Sequence, residues 1–145
     1  MEIKSSSTKE TQKLAHKLAS KIKPGDVLAL YGDLGSGKTT FTSYLVKALG
    51  LENRVQSPSF VLVRKYSDVE NDGEIKTVNH IDLYRLTQKE ELEDLGLEEL
   101  FSEENAISII EWPGLAEDIL PNGVITMNFD YLGENERSIN VQNID

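Results

Sequence analysis

The chain contains no cysteine. That excludes disulfides and thiolate-bound metal centres. No apolar run approaches the roughly 20 residues that a membrane-spanning helix needs. Met1 is followed by polar residues where a secretory signal would place an apolar stretch. A soluble cytoplasmic protein is the expectation. Positive charge is scarce as well: 15 Lys and Arg stand against 25 Asp and Glu, a net charge of −10. Gripping a nucleic-acid backbone takes clustered Lys and Arg, so no extensive direct hold on DNA or RNA is expected. A role in nucleic-acid metabolism through a partner stays open. Much of the acid lies between Glu90 and Glu104. Two readings fit it, a solvated helix face and a docking surface for a basic partner.

What is present begins with 39% hydrophobic residues in a chain of 145, enough for a core. The length suits one domain over residues 1–145. The most informative stretch is Gly32 to Thr39, Gly-Asp-Leu-Gly-Ser-Gly-Lys-Thr, which fits the phosphate-loop pattern G-x-x-x-x-G-K-[ST] at every fixed position. The apolar run Val27 to Tyr31 before it reads as a buried parallel strand. After it, Phe41, Tyr44, Leu45, Ala48 and Leu49 fall at helical spacing, with Gly50 as a stop. Glycines let the backbone approach an anion closely, and successive N–H groups and the helix N-terminus then cradle it. Lys38 suits the β- and γ-phosphates and the Thr39 hydroxyl suits Mg2+.

Elsewhere, Ser7 and Glu10 form a capping-box pattern ahead of Leu14, Leu18 and Ile22 on one helical face. Phe60 to Tyr66 and Ile75 to Leu83 flank an Asn71-Asp72-Gly73 turn, which predicts an antiparallel hairpin. Short helices are expected around Leu92 to Phe101, broken at Gly96, and at Leu115 to Leu120. A buried strand is expected at Ala106 to Ile110 and a final hairpin at Val124 to Asp130 and Arg137 to Val141. The expected fold is a single-domain α/β, phosphate-loop NTPase-like, three-layer arrangement with a mixed parallel and antiparallel sheet flanked by a few helices.

Phosphoryl transfer also needs an acid on the metal side and a group that orients the attacking molecule. Asp82 and Glu111 each sit at the predicted carboxyl end of a strand, where ligands of open α/β sheets gather. Both are candidates for Mg2+ or water, and a turn or cap role is the alternative for either. Ser59, in Ser57-Pro58-Ser59-Phe60, is either a γ-phosphate sensor or part of a plain turn. His80, Asp82 and Tyr84 share a face if the strand is regular, and His80 could order Asp82 or a water. Arg85 suits phosphate charge or the Glu-rich segment, and Trp112 suits a stacking or a core role.

Taken in order, Gly32 to Thr40, Ser57-Pro58-Ser59-Phe60, His80-Ile81-Asp82-Leu83-Tyr84-Arg85, Glu93-Asp94-Leu95-Gly96-Leu97 and Glu111-Trp112-Pro113 resemble the TsaE (YjeE) family. This is the small bacterial phosphate-loop ATPase of tRNA threonylcarbamoyladenosine biosynthesis. The resemblance implies an ATP–Mg2+ site in which Asp33, Leu34, Gly35, Ser36, Gly37, Lys38, Thr39 and Thr40 wrap the phosphates. It implies Thr39 and Glu111 on Mg2+, with Asp82 assisting the metal or the hydrolytic water, so that Lys38, Asp82 and Glu111 form the catalytic set. Thr8 and Thr11 resemble the stretch near the adenine. Ser59 stands where the family usually has threonine. Glu136-Arg137-Ser138-Ile139 resembles the C-terminal hairpin, with its role open. The implied partners are TsaB and TsaD, with tRNA reached through them, and the implied work is ATP hydrolysis between their turnovers. A small-molecule kinase and a nucleotide-gated assembly module are the competing readings.

Overall fold

Val27–Tyr31, the apolar run ahead of the glycine loop, forms a central strand whose first four residues are buried. In this computed structural model, which describes residues 2–33, 35–51, 62–68 and 70–144, that strand is second of seven among the described residues. They are β1 (Glu2–Ser5), β2 (Val27–Tyr31), β3 (Val63–Ser67), β4 (Thr77–Asp82), β5 (Ala106–Glu111), β6 (Ile125–Tyr131) and β7 (Arg137–Gln142). Their order in one sheet is β1-β7-β6-β2-β5-β4-β3. The middle four, β6-β2-β5-β4, run parallel, and antiparallel partners flank them on both sides. The mixed sheet expected from the sequence is what forms. Both expected hairpins are present, β3–β4 and β6–β7.

Helices α1 (Thr8–Ala19) and α2 (Lys38–Ala48) belong to the larger core cluster, with Leu14, Leu18, Phe41 and Leu45 packed among Leu28, Leu30, Ile107 and Ile109. The second cluster gathers residues from α3 (Leu97–Phe101) and from 3-10 turns at Lys89–Leu95 and Pro113–Ile119 with Val27, Ile81 and Ile110. Alternating residues of β2 and β5 therefore feed two cores, so these two strands read as nearly continuous apolar runs, whereas β4 also buries Asn79 and His80. Gly96 adopts a left-handed conformation (φ +62°) between the Lys89–Leu95 turn and α3, which is why one long helix does not form there. Six carboxylates of that stretch, Glu90, Glu91, Glu93, Asp94, Glu98 and Glu99, are exposed, while Glu103 is held by Lys65 and Asn79.

Three details differ from the sequence reading. β1 was not foreseen; it is a four-residue edge strand, polar at three positions, and it exists because β7 gives it a ladder. The capping of α1 is offset: Ser7 accepts from the Glu10 N–H at 3.4 Å, but Glu10 reaches back to the N–H and hydroxyl of Ser6, each 2.9 Å. Strand β4 ends at Asp82, so Tyr84 does not share its face with His80 and Asp82; it lies half-exposed beyond the strand end. Phe60 and Val61, expected at the start of β3, lie outside the described residues.

Phe41 joins α2 to the sheet. Its ring is fully buried and tilted against Phe129 of β6, centroids 5.7 Å apart. Phe41→Ala should therefore cost about 3–5 kcal/mol of unfolding free energy, read as a lower urea midpoint at unchanged slope.

Candidate functional site

The glycine loop turns at the carboxyl end of β2. A Cβ on Gly32 would lie 2.6 Å from the Phe129 carbonyl oxygen and 2.7 Å from Ser36 Oγ, so only glycine fits there. Gly37, at φ +101°, caps the start of α2 with its backbone, and the Phe41 N–H donates to its carbonyl at 2.9 Å. The first N–H groups of α2 consequently have no partner within the helix and carry its positive end. Between the two glycines, the Ser36 hydroxyl is buried and, among the described residues, makes no hydrogen bond. A buried hydroxyl without a partner is costly, so this loop is built for an acceptor that the described residues do not supply.

Lys38 is 5% exposed, and its amino group folds back to donate to the Gly32 carbonyl. The same Nζ lies 3.9 Å from the centre of the Trp112 ring, a cation–π contact. Burial pushes the Lys38 ammonium below its ordinary range, and the charges of Glu111, Asp82 and Asp33 offset that only in part. Trp112 itself takes a left-handed φ of +55° just after β5 and meets Tyr84 at 4.9 Å between ring centres. The tryptophan thus neither anchors the core nor stands free; it covers the loop lysine.

Asp82 and Glu111 end β4 and β5 and are direct register partners across that parallel pair. Both are buried. Burial raises the Asp82 carboxyl above its ordinary range; the Tyr84 N–H donated to it at 2.8 Å opposes this, the Glu111 charge reinforces it, and His80 and Lys38 oppose it. Glu111 receives His80 Nε2 at 2.5 Å, and His80 Nδ1 faces the Tyr66 hydroxyl at 3.3 Å. The expectation that His80 orders Asp82 or a water therefore gives way to a direct bond with Glu111, made across adjacent parallel strands.

These groups line a cleft of about 380 Å³ that takes in Gly35 to Thr40, Asp82, Glu111, Arg85 and Arg137. Among the described residues, three cations and two carboxylates on its wall suit a polyphosphate with a metal ion. A smaller cavity of about 120 Å³ adjoins it, lined by Ser36, Gly37 and Thr40 on one side and Ser5, Thr8 and Thr11 on the other. Thr11 is tied to Ser5 by a 2.7 Å hydroxyl contact. Asp33 is exposed at the loop's start and accepts from the Ser36 N–H through its carbonyl. Leu34 and the Ser57-Pro58-Ser59-Phe60 segment lie outside the described residues. Sequence reasoning left Arg137 open. The structure places it against both cavities, its Nη1 donating to the Gly133 carbonyl at 2.6 Å and its stem near Gly37. No sequence signal marks that proximity, since it depends on β7 folding back across β6. Among the described residues, no three His, Asp or Glu side chains converge as a metal cage. Two adjacent carboxylates and a threonine hydroxyl still match Mg2+, which keeps waters and phosphate oxygens in its shell. No helix among the described residues is long and apolar enough to cross a membrane.

A phosphate loop at the mouth of a parallel sheet, with acids at the next strand ends, defines a P-loop nucleotide-binding protein. A family model described as threonylcarbamoyl adenosine biosynthesis protein TsaE matches residues 5–139. The chain belongs to the TsaE family, and its role lies in tRNA threonylcarbamoyladenosine biosynthesis. It is 41% identical over 130 residues to the Bacillus subtilis (strain 168) tRNA threonylcarbamoyladenosine biosynthesis protein TsaE, spanning 90% of this chain and 77% of that one. It is 36% identical over 138 residues to the Rickettsia bellii protein of the same name, spanning 94% and 91%. The fold superposes on the crystal structure of Bacillus subtilis YdiB with a TM-score of 0.76 at 33% identity, covering 96% of this chain and 82% of that one.

The raised Asp82 carboxyl has a stability consequence. The folded state holds that proton more tightly than the unfolded chain, so Asp82 lowers stability as pH rises from its ordinary value of 3.8 upward. The penalty is present at neutral pH and relieved in acid. Asp82→Asn keeps an acceptor for the Tyr84 N–H and removes the charge. It should raise the melting temperature of the free protein by about 2–4 °C at pH 7, with the gain shrinking toward pH 4. Thermal melts at the two pH values check this.

Proposed function

We propose that this chain is a Mg2+-dependent ATPase that binds the TsaB–TsaD pair and resets it between rounds of threonylcarbamoylation of adenosine 37 in tRNA. One observation carries the nucleotide half: the buried Ser36 hydroxyl has no partner among the described residues, inside a loop whose lysine is turned onto its own backbone. Phosphate oxygens satisfy both groups at once. Lys38 leaves the Gly32 carbonyl for the β- and γ-phosphates, and the loop N–H groups and the start of α2 take the remaining charge. The adjoining cavity beside Thr8 and Thr11 suits the nucleoside. Thr39 and Glu111, with Asp82, would hold Mg2+, whose chemistry there is to neutralise phosphate charge. The residues of this chain then act by positioning, with no covalent intermediate. The partner half is supported by the family and by the acidic composition, which leaves the tRNA to be held by other proteins.

Lys38→Ala should weaken ATP binding about 10²-fold and abolish turnover in the presence of TsaB–TsaD, measured by calorimetry and phosphate release. Wild-type hydrolysis by that variant would overturn the site. Glu111→Gln should retain ATP and lose hydrolysis. Persisting tRNA modification with that variant would replace the ATPase reading by a nucleotide-gated assembly module.

A further inference from the structure

His80 and Tyr66 have no part in the reading above, yet they are buried directly behind Glu111. His80 on β4 is fully buried and Tyr66 on β3 is 4% exposed, and their rings tilt together with centroids 5.9 Å apart. With the 2.5 Å bond to Glu111 on β5, three side chains form one continuous run across three neighbouring strands. The direction of the bonds follows from the groups. An ionised carboxylate only accepts, so Nε2 carries a hydrogen and gives it to Glu111 Oε2. The Tyr66 hydroxyl meets the other ring nitrogen and holds the imidazole plane. One carboxylate oxygen of Glu111 is thereby tied inside the fold, and Oε1 carries no bond from His80.

We propose that His80 is a positioning residue: backed by Tyr66, it fixes the Glu111 carboxylate so that a single oxygen is presented to a divalent cation at the phosphate loop. This rests on the reading of Glu111 as a metal-side acid. A glutamate has three side-chain torsions, and orienting it before the cation arrives removes an entropic cost from binding. Presentation of one oxygen suits an ion that demands octahedral geometry and retains water, because a bidentate carboxylate would occupy a second position. A purely structural histidine makes a different prediction: its loss would lower stability and weaken every ligand equally.

The test is a Mg2+ titration at fixed ATP, read from the fluorescence of Trp112, the only tryptophan and a wall of the cleft. ATP binding in EDTA is measured alongside. His80→Leu should raise the apparent Mg2+ dissociation constant about 10–100-fold and leave the EDTA value within about twofold. His80→Gln, whose amide N–H can reach the same oxygen, should recover part of the loss, and Tyr66→Phe should give a smaller shift in the same direction. A folded His80→Leu protein with the wild-type Mg2+ constant overturns the proposal, as does equal weakening with and without Mg2+. Should His80→Leu fail to melt cooperatively, Tyr66→Phe and His80→Gln decide, and wild-type constants in both overturn it. Glu111→Gln separates the levels. If it abolishes the Mg2+ dependence while the His80 variants do not, the relay fails and the functional reading stands. If it too changes nothing, both fall.

Discussion

Three charged side chains, Lys38, Asp82 and Glu111, are each no more than 5% exposed at one edge of a parallel sheet, and the rest of the structure is arranged around that burial. Charges removed from water are unfavourable by several kcal/mol each unless paired or hydrogen-bonded. The compensation here is partial by construction. Glu111 has an imidazole, Asp82 has one backbone N–H, and Lys38 has a carbonyl and an aromatic face. The opposite displacements of Lys38 downward and Asp82 upward express the same deficit of solvation. A polyanion with its cation would complete such a set, since it would add charge of both signs where both are wanting.

The sheet makes this arrangement rigid. Strands β2, β4 and β5 are buried on both faces, and β4 and β5 stop in register, so that Asp82 lies opposite Glu111, while Glu111 lies opposite Leu30, one residue before the end of β2. Ile81 before Asp82 and Ile110 before Glu111 are apolar and fully buried, which leaves the acids little room to shift. The loop is constrained from below as well: Gly32 sits against the Phe129 carbonyl of β6, and Phe41 of α2 packs on the Phe129 ring. One residue of β6 thus positions both the first turn of the loop and the helix that follows it.

Much of this was legible in the chain because its signals are local. The strand, glycine loop and helix announce themselves by period and by glycine spacing, and Asp82 and Glu111 could be placed because strand ends can be read from apolar runs. What could not be read depends on which strands become neighbours. β1 has three polar residues out of four and no periodic signal; its pairing with β7 comes from the far end of the chain. Arg137 comes beside Gly37 because β7 folds back across β6, and Ser5 of β1 meets Thr11 of α1. The His80–Glu111 bond spans 31 positions and follows only once β4 and β5 are known to be parallel and adjacent. Tyr84 was misplaced for a smaller reason: strand alternation was extended past Asp82, where the backbone turns and gives the Tyr84 N–H to the Asp82 carboxylate.

That turn also sets how the site meets solvent. From the loop outward, Lys38 Nζ stands 3.9 Å from the centre of the Trp112 ring, and Trp112 stands 4.9 Å from Tyr84, which is 52% exposed. Three side chains therefore span the distance from the phosphate loop to the surface. The cation–π contact is part of what stabilises the buried ammonium, so a lysine that swings from Gly32 toward phosphate oxygens alters the field over the Trp112 face. Tyr84 is bound to both halves of the change, through its ring to Trp112 and through its N–H to Asp82. A state change at the loop and at the acids thus converges on one exposed aromatic residue.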